Sequence, residues 1–96
     1  MDTRDYTSHR KLYAYELRRL REAQGLSKSQ FAAMVGVSRR YLIKLESAKA
    51  SPTLEMMERI AAGFGIAVRD MVDFDTIGLR MATDNGPGTV DMEWRG

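Results

Sequence analysis

The stretch SKSQFAAMVGVSRRYLIKLE, Ser27 to Glu46, decides the fold. It opens on Ser27-Lys28-Ser29-Gln30, a capping box: the Ser27 hydroxyl takes one free N–H at a helix start and the Gln30 side chain returns to another. Phe31, Ala32 and Val35 then recur with helical spacing and give a buried stripe. Gly36 stops this helix after about two turns, because glycine enters the left-handed conformation of a helix end without steric cost. Val37 leads to Ser38, which caps a second short run from Arg39 to Glu46. On a wheel of about 100° per residue, Leu42 and Leu45 share one side. Arg40, Ile43 and Lys44 cluster opposite them, with Arg39 at their edge. That outer side carries three cations and no carboxylate, a pattern that solubility alone does not require.

Upstream, Leu12, Ala14, Leu17, Leu20 and Ala23 interleave with Arg18, Arg19, Arg21 and Glu22 as an amphipathic helix, ended by Gly25 and sealed by Leu26. Downstream, residues 47–52 form a loop and Thr53 caps a fourth helix with Leu54, Met57, Ile60, Ala61 and Phe64 on its inner face. Gly65 ends it, and Gly63 weakens its last turn by about 1 kcal/mol relative to Ala. A fifth, short helix is predicted from Val68 to Phe74. The period then changes. Ile77, Leu79 and Met81 alternate with Gly78 and Arg80, turn formers fill residues 84–88, and Val90, Met92 and Trp94 alternate with Asp91 and Glu93. This predicts a β-hairpin, and because a lone hairpin is marginal in water, its apolar face needs the helical body, a second copy or another protein. The expected division is an extension over 1–10, a helical domain over 11–74 and a tail over 75–96.

Composition narrows the chemistry. With 96 residues, the chain is sized for one domain, which excludes a two-domain enzyme. It has no Cys and a single His, His9, so disulfides, thiolate chemistry, most zinc sites and Ser-His-Asp arrangements are excluded. Asp84, Asp91 and Glu93 match no metal-binding spacing. No cofactor and no metal are expected, and the function class is binding. No apolar run approaches the roughly 20 residues of a membrane span, and residues 1–10 lack a secretory pattern; a cytoplasmic protein is expected. The net charge of +2 conceals an asymmetry: residues 1–50 carry 11 Lys/Arg against 5 Asp/Glu, and residues 51–96 carry 4 against 8. A basic half suggests a surface that faces a polyanion.

Two short capped helices joined by Gly36-Val37-Ser38, behind a basic helix and ahead of another with an apolar face, form the economy of a helix-turn-helix, in which the second helix enters the major groove of DNA. LRRLREAQGLSKSQFAAMVGVSRRYLIKLE and SPTLEMMERIAAGFGI, within Leu17 to Phe74, resemble the lambda-repressor/Cro-like helix-turn-helix domain of the xenobiotic-response-element regulators. The fold the resemblance implies is all-α with five helices, to which the tail would add its hairpin.

The resemblance also implies roles. Arg39, Arg40, Ile43 and Lys44 fall where such proteins read base edges; Arg39 or Arg40 would fork onto guanine, and Ile43 would meet a thymine methyl. Ser27, Lys28, Ser38, Tyr41 and Lys49 would contact phosphates, with core packing as the rival role for Tyr41 and phosphate contact the rival for either Arg. Arg21 and Glu46 match a partly buried structural ion pair. Leu17, Leu20, Leu26, Phe31, Val35, Val37, Leu42, Leu45, Leu54, Ile60 and Phe64 are core. The chain departs from the family pattern in that Lys28 stands where the family often has Gln, Ala48 replaces a Gly after the recognition helix, Ala67 replaces a hydroxyl cap, and the extension through Arg10 and the tail hairpin lie outside the shared domain.

The function this implies is a sequence-specific, double-stranded DNA-binding transcriptional regulator, a repressor by default, acting as a homodimer on an inverted repeat. Nothing in the sequence suggests an effector pocket. The dimer or partner surface would draw on Met71, Val72, Phe74, Ile77, Leu79, Met81, Val90, Met92 and Trp94. An alternative is an antitoxin that autoregulates through the same domain and binds a toxin through its C-terminal tail. An enzyme is the third and weakest class.

Overall fold

The computed structural model describes residues 6–85. Side-chain caps and left-handed residues divide them into six helices: α1 (Tyr6–Ala23), α2 (Lys28–Val35), α3 (Arg39–Glu46), α4 (Leu54–Phe64), α5 (Val68–Met71) and α6 (Phe74–Asn85). The α2 capping box is complete, with Gln30 N donating to Ser27 Oγ at 3.0 Å and Ser27 N donating to Gln30 Oε1 at 2.8 Å. Ser38 and Thr53 cap α3 and α4 through the backbone N–H groups of Tyr41 and Met56. Ala67 has no side chain to cap α5, and only Asp70 reaches back, accepting from Ala67 N at 3.2 Å. The helix is correspondingly a single turn.

Leu17 of α1, Phe31 of α2, Leu42 and Leu45 of α3 and Ile60 of α4 converge in one core with almost no exposure. Phe31 and Phe64 stack inside it with ring centroids 4.5 Å apart. Leu54, expected on the inner face of α4, is instead 62% exposed. It sits at the first position of the helix, where the chain is still turning away from the core.

The expected five helices and C-terminal β-hairpin are corrected. Among the described residues there are six helices and no strand. The fifth helix stops at Met71, and Phe74 begins a sixth that takes in Ile77, Leu79 and Met81, the residues assigned to the first strand. Their alternation is real, but Phe74, Ile77, Gly78 and Met81 also recur at the three- and four-residue spacing of a helix face. Burial decides between the two periods. Ile77 is buried and Leu79, which a strand would turn inward beside it, is 72% exposed. The other proposed strand, Val90 to Trp94, lies outside the described residues.

The helix α6 runs alongside α1 in the same direction, since Phe74 meets His9, Gly78 faces Leu12 and Arg80 reaches Glu16. Glu16 is buried and accepts from both Arg19, at 3.0 and 2.7 Å, and Arg80, at 2.8 Å. A carboxylate removed from water needs such charged donors on its oxygens, and here they tie α6 to α1. Tyr15 donates to Asp84 near the end of the same seam.

Candidate nucleic-acid interface

The α2–α3 unit is set by its turn. Gly36 adopts φ 80° and its N–H, like that of Val37, returns to the Ala32 carbonyl at 2.9 Å. Two residues later Ser38 starts α3, so one buried side of α3 is fixed by Leu42 and Leu45 and the other is left outward. Arg39, Arg40, Ile43 and Lys44 are all exposed on it. Tyr41 is half-buried against the core. At the flanks, Ser27 and Ser38 are exposed caps, Lys28 is half-buried and Lys49 is exposed.

The one carboxylate of α3, Glu46, is turned away from that outer face. Its oxygens accept from Arg21 Nε at 2.7 Å and Arg21 Nη2 at 3.0 Å, and Arg21 Nη1 donates to the Leu26 carbonyl at 2.7 Å. Both side chains are almost wholly buried. The hydrogen bonds to Glu46 hold the Arg21 guanidinium even more firmly charged than usual, against the opposing effect of burial. This fork joins the end of α1 to the end of α3 and leaves the solvent face of α3 with cations only.

The helix α3 then ends on a left-handed residue. Lys49 N donates to the Lys44 carbonyl at 2.9 Å and Ala48 N to the Leu45 carbonyl at 3.2 Å, the paired bonds of a Schellman motif. Ala48 holds the position normally suited to glycine, at φ 61°. The helix therefore ends without running on, at the expense of strain at Ala48.

Residues 17–71 match the helix-turn-helix family HTH_3. The chain belongs to this Cro/C1-type helix-turn-helix family. Members of the Cro/C1 family are DNA-binding transcription regulators. Among relatives, the chain is 35% identical over 57 residues to the HTH-type transcriptional regulator DdrOP3 of Deinococcus deserti, covering 59% of this chain and 44% of that protein. It is 33% identical over 60 residues to the control protein C.MunI of a Mycoplasma species, covering 62% of this chain and 81% of that one. The fold is similar to that of a hypothetical transcription factor from Neisseria, with TM-score 0.64 and 28% identity over 67% of this chain and 74% of the other. The chain thus spans less than half the length of the Deinococcus regulator.

At the end of the segment that matches the Cro/C1 family and beyond it, the residues expected to contact a dimer mate or partner divide. Met71 and Ile77 are buried within the chain itself and present nothing outward. Val72, Phe74 and Met81 are half-buried, and Leu79 stands exposed on α6. Val90, Met92 and Trp94 lie outside the described residues. The sequence reasoning missed Glu16 and Arg80 as a pair, since no local spacing links residues so far apart. It also missed Arg59 of α4, whose Nη1 would lie 3.7 Å from a Cβ built on Gly36 in the α2–α3 turn.

Proposed function

We propose that the protein is a sequence-specific, double-stranded DNA-binding transcriptional regulator that acts as a homodimer and represses by occupying its operator. The outer face of α3, where Arg39, Arg40, Ile43 and Lys44 are exposed with no competing carboxylate, carries this reading. With α3 in the major groove, Arg40 forks onto guanine O6 and N7, Ile43 meets a thymine methyl, and Arg39 and Lys44 reach adjacent base edges. Ser27, Lys28, Ser38, Tyr41 and Lys49 hold the flanking phosphates, helped by the N-terminal N–H groups of α2 and α3. Arg21 and Glu46 touch no DNA and keep α3 at its angle to α1.

One eight-residue helix reads few base pairs, so two copies on half-sites about 34 Å apart supply the specificity. The names of the relatives, a transcriptional regulator and a control protein, support regulation as the purpose. No helix of the described residues is long and apolar enough to cross a membrane, in keeping with a cytoplasmic site of action. The antitoxin alternative turns on Val90, Met92 and Trp94, which lie outside the described residues.

Selection of bound sequences from a random duplex pool, with the mass of the complex measured alongside, tests the proposal. Enrichment of an inverted repeat with one-turn spacing, bound by two chains, is expected. Weak binding without sequence preference would overturn it.

A further inference from the structure

The outward row of α3 continues past the helix itself. Arg40, Ile43 and Lys44 are followed by Ser47, the i, i+3, i+4, i+7 spacing of a single helix face. Ser47 is exposed and lines a hollow of about 280 Å³ whose opposite wall is α1. That wall presents Lys11, Tyr15 and Arg18, which stand at i, i+4 and i+7 and so share one face of α1. The face of α3 assigned to DNA therefore runs directly into a face of α1 to which no role has been given.

Most polar groups in the hollow are already engaged. Ser47 Oγ donates to the Ile43 carbonyl at 2.8 Å, and the Tyr15 hydroxyl donates to Asp84. Glu46, the carboxylate of the lining, accepts the Arg21 fork, which neutralises it. Arg18 gives its Nε to Glu22 at 3.1 Å, but these side chains are 62% and 54% exposed, and a pair so open to water exchanges partners at little cost. Lys11 is exposed and makes no ion pair among the described residues. What the hollow offers to solvent is thus two cations, about two helical turns apart on α1, beside the last turn of α3.

We propose that Lys11 and Arg18 form a further phosphate clamp, by which α1 holds a DNA backbone strand beside the last turn of α3. The inference rests on the reading of α3 as a major-groove helix. With eight residues, α3 is about 12 Å long, close to the width of the groove, so its last turn, with Ser47, comes up against one of the bordering strands. A phosphate there meets a point charge from Lys11 and a fork of N–H donors from Arg18. Lys11 and Tyr15 lie ahead of residues 17–71, so the clamp depends on the part of α1 that extends beyond the family segment. The same cations could instead serve only to offset the negative carbonyl end of α3, a duty that does not involve DNA and is separable on that ground.

Fluorescence anisotropy of the full chain over a series of salt concentrations tests the clamp, with the duplex enriched from the random pool and a mixed-sequence duplex of equal length as probes. Lys11→Gln and Arg18→Gln should each lower the slope of log affinity against log salt by about one, and the double variant by about two. The loss should be the same for both duplexes, with Tm unchanged, and Lys11→Arg should keep the parent's slope. Arg69→Gln, which removes an exposed charge from α5, should leave the slope almost as it was. An equal loss in Arg69→Gln would reduce the effect to long-range attraction and overturn the clamp, as would the parent's slope in the double variant. A lowered Tm with the parent's slope would assign the two cations to the carbonyl end of α3 and overturn it as well. A parent chain that binds every duplex weakly and alike overturns the reading of α3 and the clamp together, whereas a parent that selects its operator while the variants keep its slope removes the clamp alone.

Discussion

Ala48 shows how a single backbone angle is tolerated for the sake of an element. Its φ of 61° is the one positive value at a non-glycine residue among those described. A left-handed alanine costs about 1–2 kcal/mol, whereas glycine adopts the same conformation freely but loses more chain entropy on folding, about 0.4–1 kcal/mol. Ala48→Gly should therefore stabilise the protein by about 0.5–1 kcal/mol, raising Tm by a few degrees. Thermal and urea unfolding check this; a lowered Tm would show that the angle stores no strain. Arg40 and Lys28 separate two roles at the same scale. If Arg40 forks onto a base, Arg40→Ala should relax preference at one half-site position and cost about 1–3 kcal/mol there. Lys28→Ala should weaken all sequences alike and reduce the salt slope by about one unit. Binding measured across a set of single-base operator variants at two salt concentrations distinguishes them, and identical profiles for the two variants would remove Arg40 from base reading.

At the scale of the element, Gly63 sets helix propensity against packing. Alanine in the last turn of α4 would gain about 1 kcal/mol of propensity. A Cβ at Gly63, however, would fall 2.8 Å from Val35 Cγ1 and 3.5 Å from the Phe31 ring. Val35 is buried and branched, and held by a stiff χ1 in a helix, so it yields poorly. Overpacking of this kind costs about 1–3 kcal/mol, and Gly63→Ala should be destabilising overall by up to about 2 kcal/mol. Denaturant unfolding decides, a rise in midpoint with unchanged slope being the contrary result. The sequence reading of Gly63 saw only the propensity term, because the closeness of α4 to α2 has no local signature. The same divide runs through the fold. The helices α2, α3 and α4 were legible because Ser27, Ser38, Thr53, Gly36 and Gly65 mark their ends and local hydrogen bonds act on neighbours in sequence. The helix α6 was not: Asp73 caps its start, accepting from Thr76 N at 3.3 Å, but Ile77, Leu79 and Met81 satisfy a period of two. Only packing on α1, through Leu12 and the Glu16–Arg80 contact, selects the helical alternative. In the candidate interface, the outward set on α3 and the partners Arg21 and Glu46 could be named from the sequence, but the hollow between α1 and the end of α3 could not, since its walls come from three separated segments.

Across the whole molecule, charge of opposite sign is divided between the two halves of the chain. The basic first half supplies α1, α2 and α3, while the second half, with 8 Asp/Glu against 4 Lys/Arg, supplies α5 and α6. Under the proposed function a DNA duplex would be attracted to the first and repelled by the second, which makes α6 the candidate surface for a second chain. Leu79 is the most exposed of the large hydrophobic residues among those described, at 72%, and Val72 and Met81 lie half-covered on the same part of the chain. If α6 is the dimer surface, Leu79→Asp places a charge within it that must be desolvated without a partner. The variant should keep its helical content and Tm, because Leu79 contributes little to the chain's own core, and should sediment as a monomer at concentrations where the parent is dimeric. Its affinity for a full inverted repeat should fall by about 10²–10⁴, the advantage that joining two reading heads confers, while its affinity for an isolated half-site stays the same. Sedimentation with parallel binding to both DNA lengths separates the effects. A dimer that persists with Leu79→Asp would move the interface off α6, and loss of half-site binding would mean that the substitution had disturbed the reading head itself.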